Sequence, residues 1–417
     1  MNVLLGAGDG AQMRAGPSQE EVRRHNLGTL LRYVHVHGAT SRAELTNQLG
    51  LNRSTIGALT AELAGAGLVN ERTPAETGRA GRPSLLVQPE SAMVYAYAIS
   101  IEVDRLRAAR VGLGGRILDR RETERPRGMQ VLDAVQPLAG FLREMRRDVP
   151  VDARYVGGGI AVAGMVRRAD GVVRLAPTIG WVDEPVGEAL SAEIGEVGPL
   201  TVGNVADVSA LVEHSRGAAV GCDNVLYLYG DVGVGGGIIA GGRRVTGHGG
   251  YGGEVGHMVV NPQGRRCSCG SRGCWETEIG ESALLQRAGR GGQFGREAVL
   301  GVVESAKRGD RLARHAVHEV GDWIGFGVGN LVNIFNPEAV IFGGTLRDIY
   351  LVAAAHIRSR LNEIALPACR EHIRLRTPEL GTDAALIGAA ELAFERILAD
   401  PLCWPGSPAD SEDQEPS

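Results

Sequence analysis

Glu254-Val-Gly-His257, followed closely by Cys267-Ser-Cys269-Gly-Ser-Arg-Gly-Cys274-Trp-Glu276, is the stretch on which the reading of this chain turns. One imidazole and three thiolates make a closed tetrahedral set, the way a structural zinc ion is held. Gly270 and Gly273 let the backbone fold tightly around such an ion. No ligand position is left for water, so His257, Cys267, Cys269 and Cys274 are expected to hold one structural Zn2+ per chain. The plainer alternative is three unrelated thiols beside a surface histidine. Cys222, Cys369 and Cys403 stand apart and suggest no pairing.

The rest of the chain agrees with an intracellular metal site rather than a disulfide framework. The opening MNVLLGAGDG has neither the basic nor the apolar region of a signal peptide, and no long apolar run suggests a membrane span. A cytoplasmic protein without membrane contact is therefore expected. At 417 residues, with 43% hydrophobic and 22% charged residues, two or three globular domains are expected. The net charge of −5 owes much to Asp410, Glu412, Asp413 and Glu415, so it says little about any one domain.

Composition divides the chain. Residues 1–17 read as a Gly/Ala-rich disordered tail, and 399–417 as a disordered acidic tail. Between 18 and 90, Leu27, Leu30, Leu31 and Val34 recur at helical spacing up to Gly38. Ser41 to Glu44 is a capping box for a second helix ending at Gly50, and Asn52 caps a third beginning at Arg53. Leu68-Val69 and Ser84–Val87 then suggest a hairpin around a Gly/Pro-rich loop. From 91 onward strands alternate with helices, which argues for an α/β body.

Two helices across a three-residue turn suit DNA, because the second can enter the major groove with its N-terminal side chains on base edges. Those side chains are Arg53, Ser54 and Thr55, with Arg42 on the preceding helix. Arg79 and Arg82 suit a wing touching phosphates or a minor groove, so 18–90 reads as a winged helix-turn-helix. The same pattern also suits a dimerisation module.

The metal stretch resembles the ROK family, which groups sugar-dependent repressors with sugar kinases. Its glutamate–X–glycine–histidine and CxCGxxGCxE elements match Glu254–His257 and Cys267–Glu276. GGGIAVAG (157–164), LAPTIGW (175–181), GVGGGII (233–239), NPEAVIFGG (336–344) and DAALIGAA (383–390) resemble family segments in family order. The resemblance implies an α/β, two-lobed, actin-like ATPase (ribonuclease H-like) fold. An N-terminal lobe over 91–205 would be joined by helix 384–398, and a C-terminal lobe over 206–383 would carry the zinc and the dimer interface. It also implies that Asn204, Glu254, His257 and Glu276 hold a sugar. Glu254 and Glu276 have a second reading as support for the metal.

Departures from the family pattern bear on activity. Family kinases carry an Asn-Asp pair whose aspartate takes the proton of the sugar hydroxyl; here Val205 follows Asn204, and Asp207 lies further on. An isopropyl group accepts no proton, and general-base help is worth roughly 10²–10⁴-fold. The first phosphate loop reads Ser100-Ile-Glu102-Val-Asp104 instead of Asp-x-Gly-Gly-Thr, Val232 replaces a threonine in the second, and Thr178 replaces an asparagine usual in the kinases. Lost backbone donors and added carboxylates oppose a polyphosphate. The expectation is a non-enzymatic, DNA-binding repressor of carbohydrate genes, a homodimer or homotetramer whose operator affinity a small sugar controls. The alternative is an ATP-dependent, glucokinase-like sugar kinase with an added DNA-binding head.

Overall fold

The computed structural model describes residues 18–73, 84–195, 198 and 200–403. The N-terminal unit opens with α1 (Gln19–His37), started by a capping box in which Ser18 and Glu21 bond each other's backbone N–H. After β1 (Thr40–Ser41), α2 (Arg42–Leu49) begins with the Ser41 hydroxyl accepting from the Glu44 N–H and ends at left-handed Gly50. Asn52 caps α3 (Arg53–Gly65). β2 (Val69–Arg72) and β3 (Leu86–Pro89) pair antiparallel, and β3 also takes β1. Arg79 and Arg82 lie outside the described residues.

Two five-stranded sheets form the body. The first has the order β11-β7-β4-β5-β6, from β4 (Val94–Ile101), β5 (Arg105–Gly112), β6 (Arg116–Glu124), β7 (Arg154–Val162) and β11 (Leu200–Asn204). Between its last strands lie α4 (Val131–Arg147), a small sheet of β8 (Met165–Val166), β9 (Val173–Ala176) and β10 (Trp181–Glu184), and α5 (Val186–Ile194). β11 runs straight into α6 (Val205–Arg216), which packs between the two sheets.

The second sheet, β14-β13-β12-β15-β16, uses β12 (Val225–Gly230), β13 (Val234–Ala240), β14 (Arg243–Arg244), β15 (Ala339–Gly344) and β16 (Arg374–Arg376). Helices α7 (Glu276–Ile279), α8 (Glu281–Arg287), α9 (Arg296–Lys307), α10 (Arg311–Phe335), α11 (Thr345–Ile364) and α12 (Pro367–Arg370) complete this lobe. The last helix, α13 (Ala384–Ala399), returns to the first sheet and packs on β7 and β4.

α13 also receives the N-terminal unit. Leu27, Leu31 and Val34 of α1 share one apolar core with Phe394, Ile397 and Leu398. At Gly28 the two helices meet so closely that an added Cβ would sit 2.9 Å from the Leu398 carbonyl oxygen. Residues 399–403, expected to open a disordered tail, are instead folded: α13 runs through Ala399, Pro401 is buried and Leu402 packs on the same core. Among the described residues no helix is long and apolar enough to cross a membrane.

Candidate sugar pocket and metal centre

The loop after β14 brings the metal residues together. Isolated antiparallel bridges, Val259 to Cys274 and Arg266 to Arg272, pinch the chain into a knuckle. Gly270 and Gly273 sit at φ 93° and 72°, where an L side chain is strained. At Gly273 an added Cβ would lie 1.6 Å from the Asn261 carbonyl oxygen, so only glycine fits.

The knuckle places Cys267 Sγ 3.6 Å from His257 Nδ1 and Cys269 Sγ 3.7 Å from Cys274 Sγ. All four ligand atoms lie within 4.8 Å of one another. Two Zn–S bonds of about 2.3 Å at the tetrahedral angle put the sulfurs roughly 3.8 Å apart, so the spacing suits zinc and is too long for a disulfide. The donor set fits a closed site, and His257, Cys267, Cys269 and Cys274 could hold a metal ion.

With Nδ1 toward the sulfurs, His257 turns Nε2 toward Glu254, 3.9 Å away. Glu276, the first residue of α7, has Oε1 2.8 Å from Cys267 Sγ and 3.8 Å from His257 Nδ1. Glu276 thus abuts the knuckle and also lines a cavity between the lobes. Asn204, Glu254, His257, Glu276 and Thr178 all line that cavity. Burial pushes the Glu254 carboxyl above its ordinary value, with His257 opposing.

Asn204 enters from the first sheet with much of its side chain engaged. Its Oδ1 caps α6 by accepting from the Ala206 and Asp207 N–H groups at 2.8 and 3.3 Å, and its Nδ2 donates to the Gly164 carbonyl at 2.9 Å. One amide N–H is left for a ligand. Val205 opens α6 and faces the same cavity. Asp207 turns away: it pairs with Arg244 at 3.2 Å, and burial raises its carboxyl.

Asp231 is the site residue that the sequence reading passes over. It lines both that cavity and the larger cleft adjoining it. Burial, with Glu102, Asp104 and Glu281 nearby, pushes its carboxyl up to about 8. The available signal was an acid interrupting the glycine run at Gly230-Asp231-Val232-Gly233. In the larger cleft Glu102 accepts from Ser100 Oγ at 2.8 Å and is held by Arg107, which also donates to the Thr382 carbonyl at 2.7 Å.

In the N-terminal unit, Arg53 and Ser54 are exposed at the start of α3. The Ser54 and Thr55 hydroxyls both donate to Asn52 Oδ1, at 2.6 and 3.0 Å. Arg42 is engaged within the unit, its guanidinium forked onto Glu71 at 2.5 and 2.6 Å.

A family model described as ROK family matches residues 96–396. The xylose repressor of Bacillus subtilis (strain 168) is 26% identical over 393 residues, spanning 91% of this chain and 97% of its own length. The DNA-binding transcriptional dual regulator NagC of Escherichia coli (strain K12) is 26% identical over 401 residues, spanning 93% and 97%. A glucokinase of Streptomyces coelicolor is 34% identical over 263 residues, spanning 59% of this chain and 82% of the enzyme. Among solved structures, a ROK family transcriptional regulator, homolog of the E. coli MLC protein, superposes with TM-score 0.73 at 25% identity, covering 91% of this chain and 97% of that one. A ROK family glucokinase from Streptomyces griseus in complex with glucose and AMPPNP gives 0.61 at 28% identity, covering 72% and 99%.

Proposed function

The chain belongs to the ROK family, and from that premise we propose that it is a sugar-responsive, DNA-binding transcriptional repressor of carbohydrate genes, without kinase activity. Relatives named as regulators match 91% and 93% of it, whereas a glucokinase matches 59%. The observation that carries the reading is Val205: an isopropyl group faces the cavity where the family's kinases place their base. At the edge of the adjoining cleft, Glu102 and Asp104 stand where the family's first phosphate loop has the glycines whose backbone approaches phosphate.

In this reading Asn204, Glu254, His257 and Glu276 hold the hydroxyls of a sugar, with Asp231 beside them as a carboxylic acid able to donate near neutral pH. His257, Cys267, Cys269 and Cys274 hold one structural zinc per chain, which would fix the imidazole and leave Nε2 for the cavity. The N-terminal unit acts as a winged helix-turn-helix. Arg53, Ser54 and Thr55 meet base edges, Arg42 ties the start of α2 to β2 through Glu71, and Arg79 and Arg82, outside the described residues, are proposed as further DNA contacts. A cytoplasmic homodimer or homotetramer would set two such units on half-sites about one helical turn apart.

The test joins three measurements on the full chain. Thermal shift with a panel headed by D-xylose and D-glucose should find a binder. Gel shifts with duplexes enriched from a random pool should show an affinity that this binder changes. ADP release with ATP and the same sugars should stay at background; turnover above ~1 s⁻¹ would make the protein a kinase.

A further inference from the structure

A buried polar cluster that touches neither the cavity nor the DNA-facing residues joins the N-terminal unit to the body. His35, near the end of α1, is fully buried. Its Nδ1 accepts from the Gly114 N–H at 2.8 Å, so its proton sits on Nε2, 3.0 Å from both carboxylate oxygens of Glu391 in α13. An imidazole accepting at one nitrogen and donating at the other is neutral. The ion pair of the cluster is therefore Glu391 with Arg216, the last residue of α6. Arg216 also donates to the Gly114 carbonyl at 2.7 Å and reaches the His35 carbonyl at 3.4 Å. Three elements far apart in sequence thus close on the turn between β5 and β6.

α6 connects this cluster to the sugar cavity. Its cap Asn204 and first residue Val205 line the cavity, while its final residue grips His35 and Glu391. Twelve residues make a rod of about 18 Å. Asn204 ties the head of that rod to the cavity wall through Gly164, so a ligand that displaces the wall displaces α6. At the far end a buried ion pair tolerates little slippage, because a separated charge there loses its partner without regaining water.

We propose that Arg216, Glu391 and His35 form the coupling joint, a set of positioning residues through which α6 converts sugar occupancy into a change of seat for the DNA-binding unit. The proposal rests on the regulator reading above. Its test uses two full-length variants: Glu391→Gln, and the double variant Arg216→Met/Glu391→Gln, which removes both charges so that no lone ion stays buried. D-xylose, D-glucose and any other sugar of the panel that shifts the melt are titrated in turn by calorimetry, and affinity for duplexes enriched by the wild type is measured with and without each sugar.

Saturating sugar should change wild-type DNA affinity by about 5–150-fold, and in the variants by less than about twofold, with sugar affinity in the absence of DNA held within about twofold. Binding free energies are reciprocal, so the effect of DNA on sugar affinity should shrink by the same factor. Variants that keep the wild-type ratio overturn the joint, even where their stability or absolute DNA affinity falls. A wild type that binds no sugar of the panel, or whose DNA affinity ignores every sugar it binds, removes the regulator reading and the joint with it.

Discussion

The cavity beside the metal knuckle and the larger cleft next to it share Asp231 and Tyr229, yet they present different chemistry. In the cavity, Glu254, His257 and Glu276 come from one short stretch, are braced by the knuckle, and suit vicinal hydroxyls. In the cleft, the strand end that should approach phosphate carries Glu102 and Asp104, and Arg107 is consumed in holding Glu102. On the proposed reading, a binding site and a transfer site part company inside one fold: recognition rests on rigid local geometry, while transfer would need every charge in place at once.

That contrast can be attacked from either side. The largest effect is expected at the knuckle: Cys269→Ser should lose the metal and cost upward of about 4 kcal/mol of stability, read by metal analysis and thermal melting. Glu276→Gln should weaken sugar binding by roughly 1.5–3 kcal/mol while leaving metal content intact. Lost metal with unchanged sugar affinity would make Glu276 a metal support alone. Arg53→Ala should cost about 1–3 kcal/mol of DNA affinity and leave sugar titrations unmoved.

Asp231 offers a pH signature. Its folded-state carboxyl is pushed up to about 8 by burial and the neighbouring Glu102, Asp104 and Glu281. An unfolded aspartate loses its proton near about pH 4. The folded chain keeps that proton longer, so the stability it contributes is full below that pH and is lost as pH rises through about 8. Asp231→Asn should therefore melt progressively higher than the wild type as pH rises across this window, then hold a constant lead. A lead that does not vary with pH would refute the assignment. The smallest effect is expected of Val205→Asp, which restores a carboxylate beside the cavity but no phosphate cradle, so ADP release should stay at background. A gain of roughly 10²–10⁴-fold would show the cleft to be competent after all.

Much of this was legible in the chain because it is local. The ligands from His257 to Cys274 lie close in sequence, and Glu254 and Glu276 flank them, so spacing alone gathers a metal set and a polar wall. The three N-terminal helices announce themselves through Ser41, Asn52 and their glycine stops. Long-range pairing is where reading fails. Arg42 reads as a DNA contact, and nothing near it in sequence announces that the fold brings Glu71 against it. His35 and Glu391 meet across 356 positions, and neither carries any mark of the other. Asp231 is hidden differently: its chemistry comes from acids on other elements, which its own glycine-rich neighbourhood does not disclose.

Trp275 stands between the ligand Cys274 and the wall residue Glu276, fully buried, with its indole N–H donated to the Trp323 carbonyl at 2.8 Å. Its ring lies flat enough on α10 that a Cβ added at Gly327 would come within 2.1 Å of it. The molecule therefore carries its own optical gauge. Uptake of an ion by the knuckle would change the surroundings of an indole wedged against a long helix, so the share of the four tryptophans' emission that comes from Trp275 should follow occupancy without any added dye.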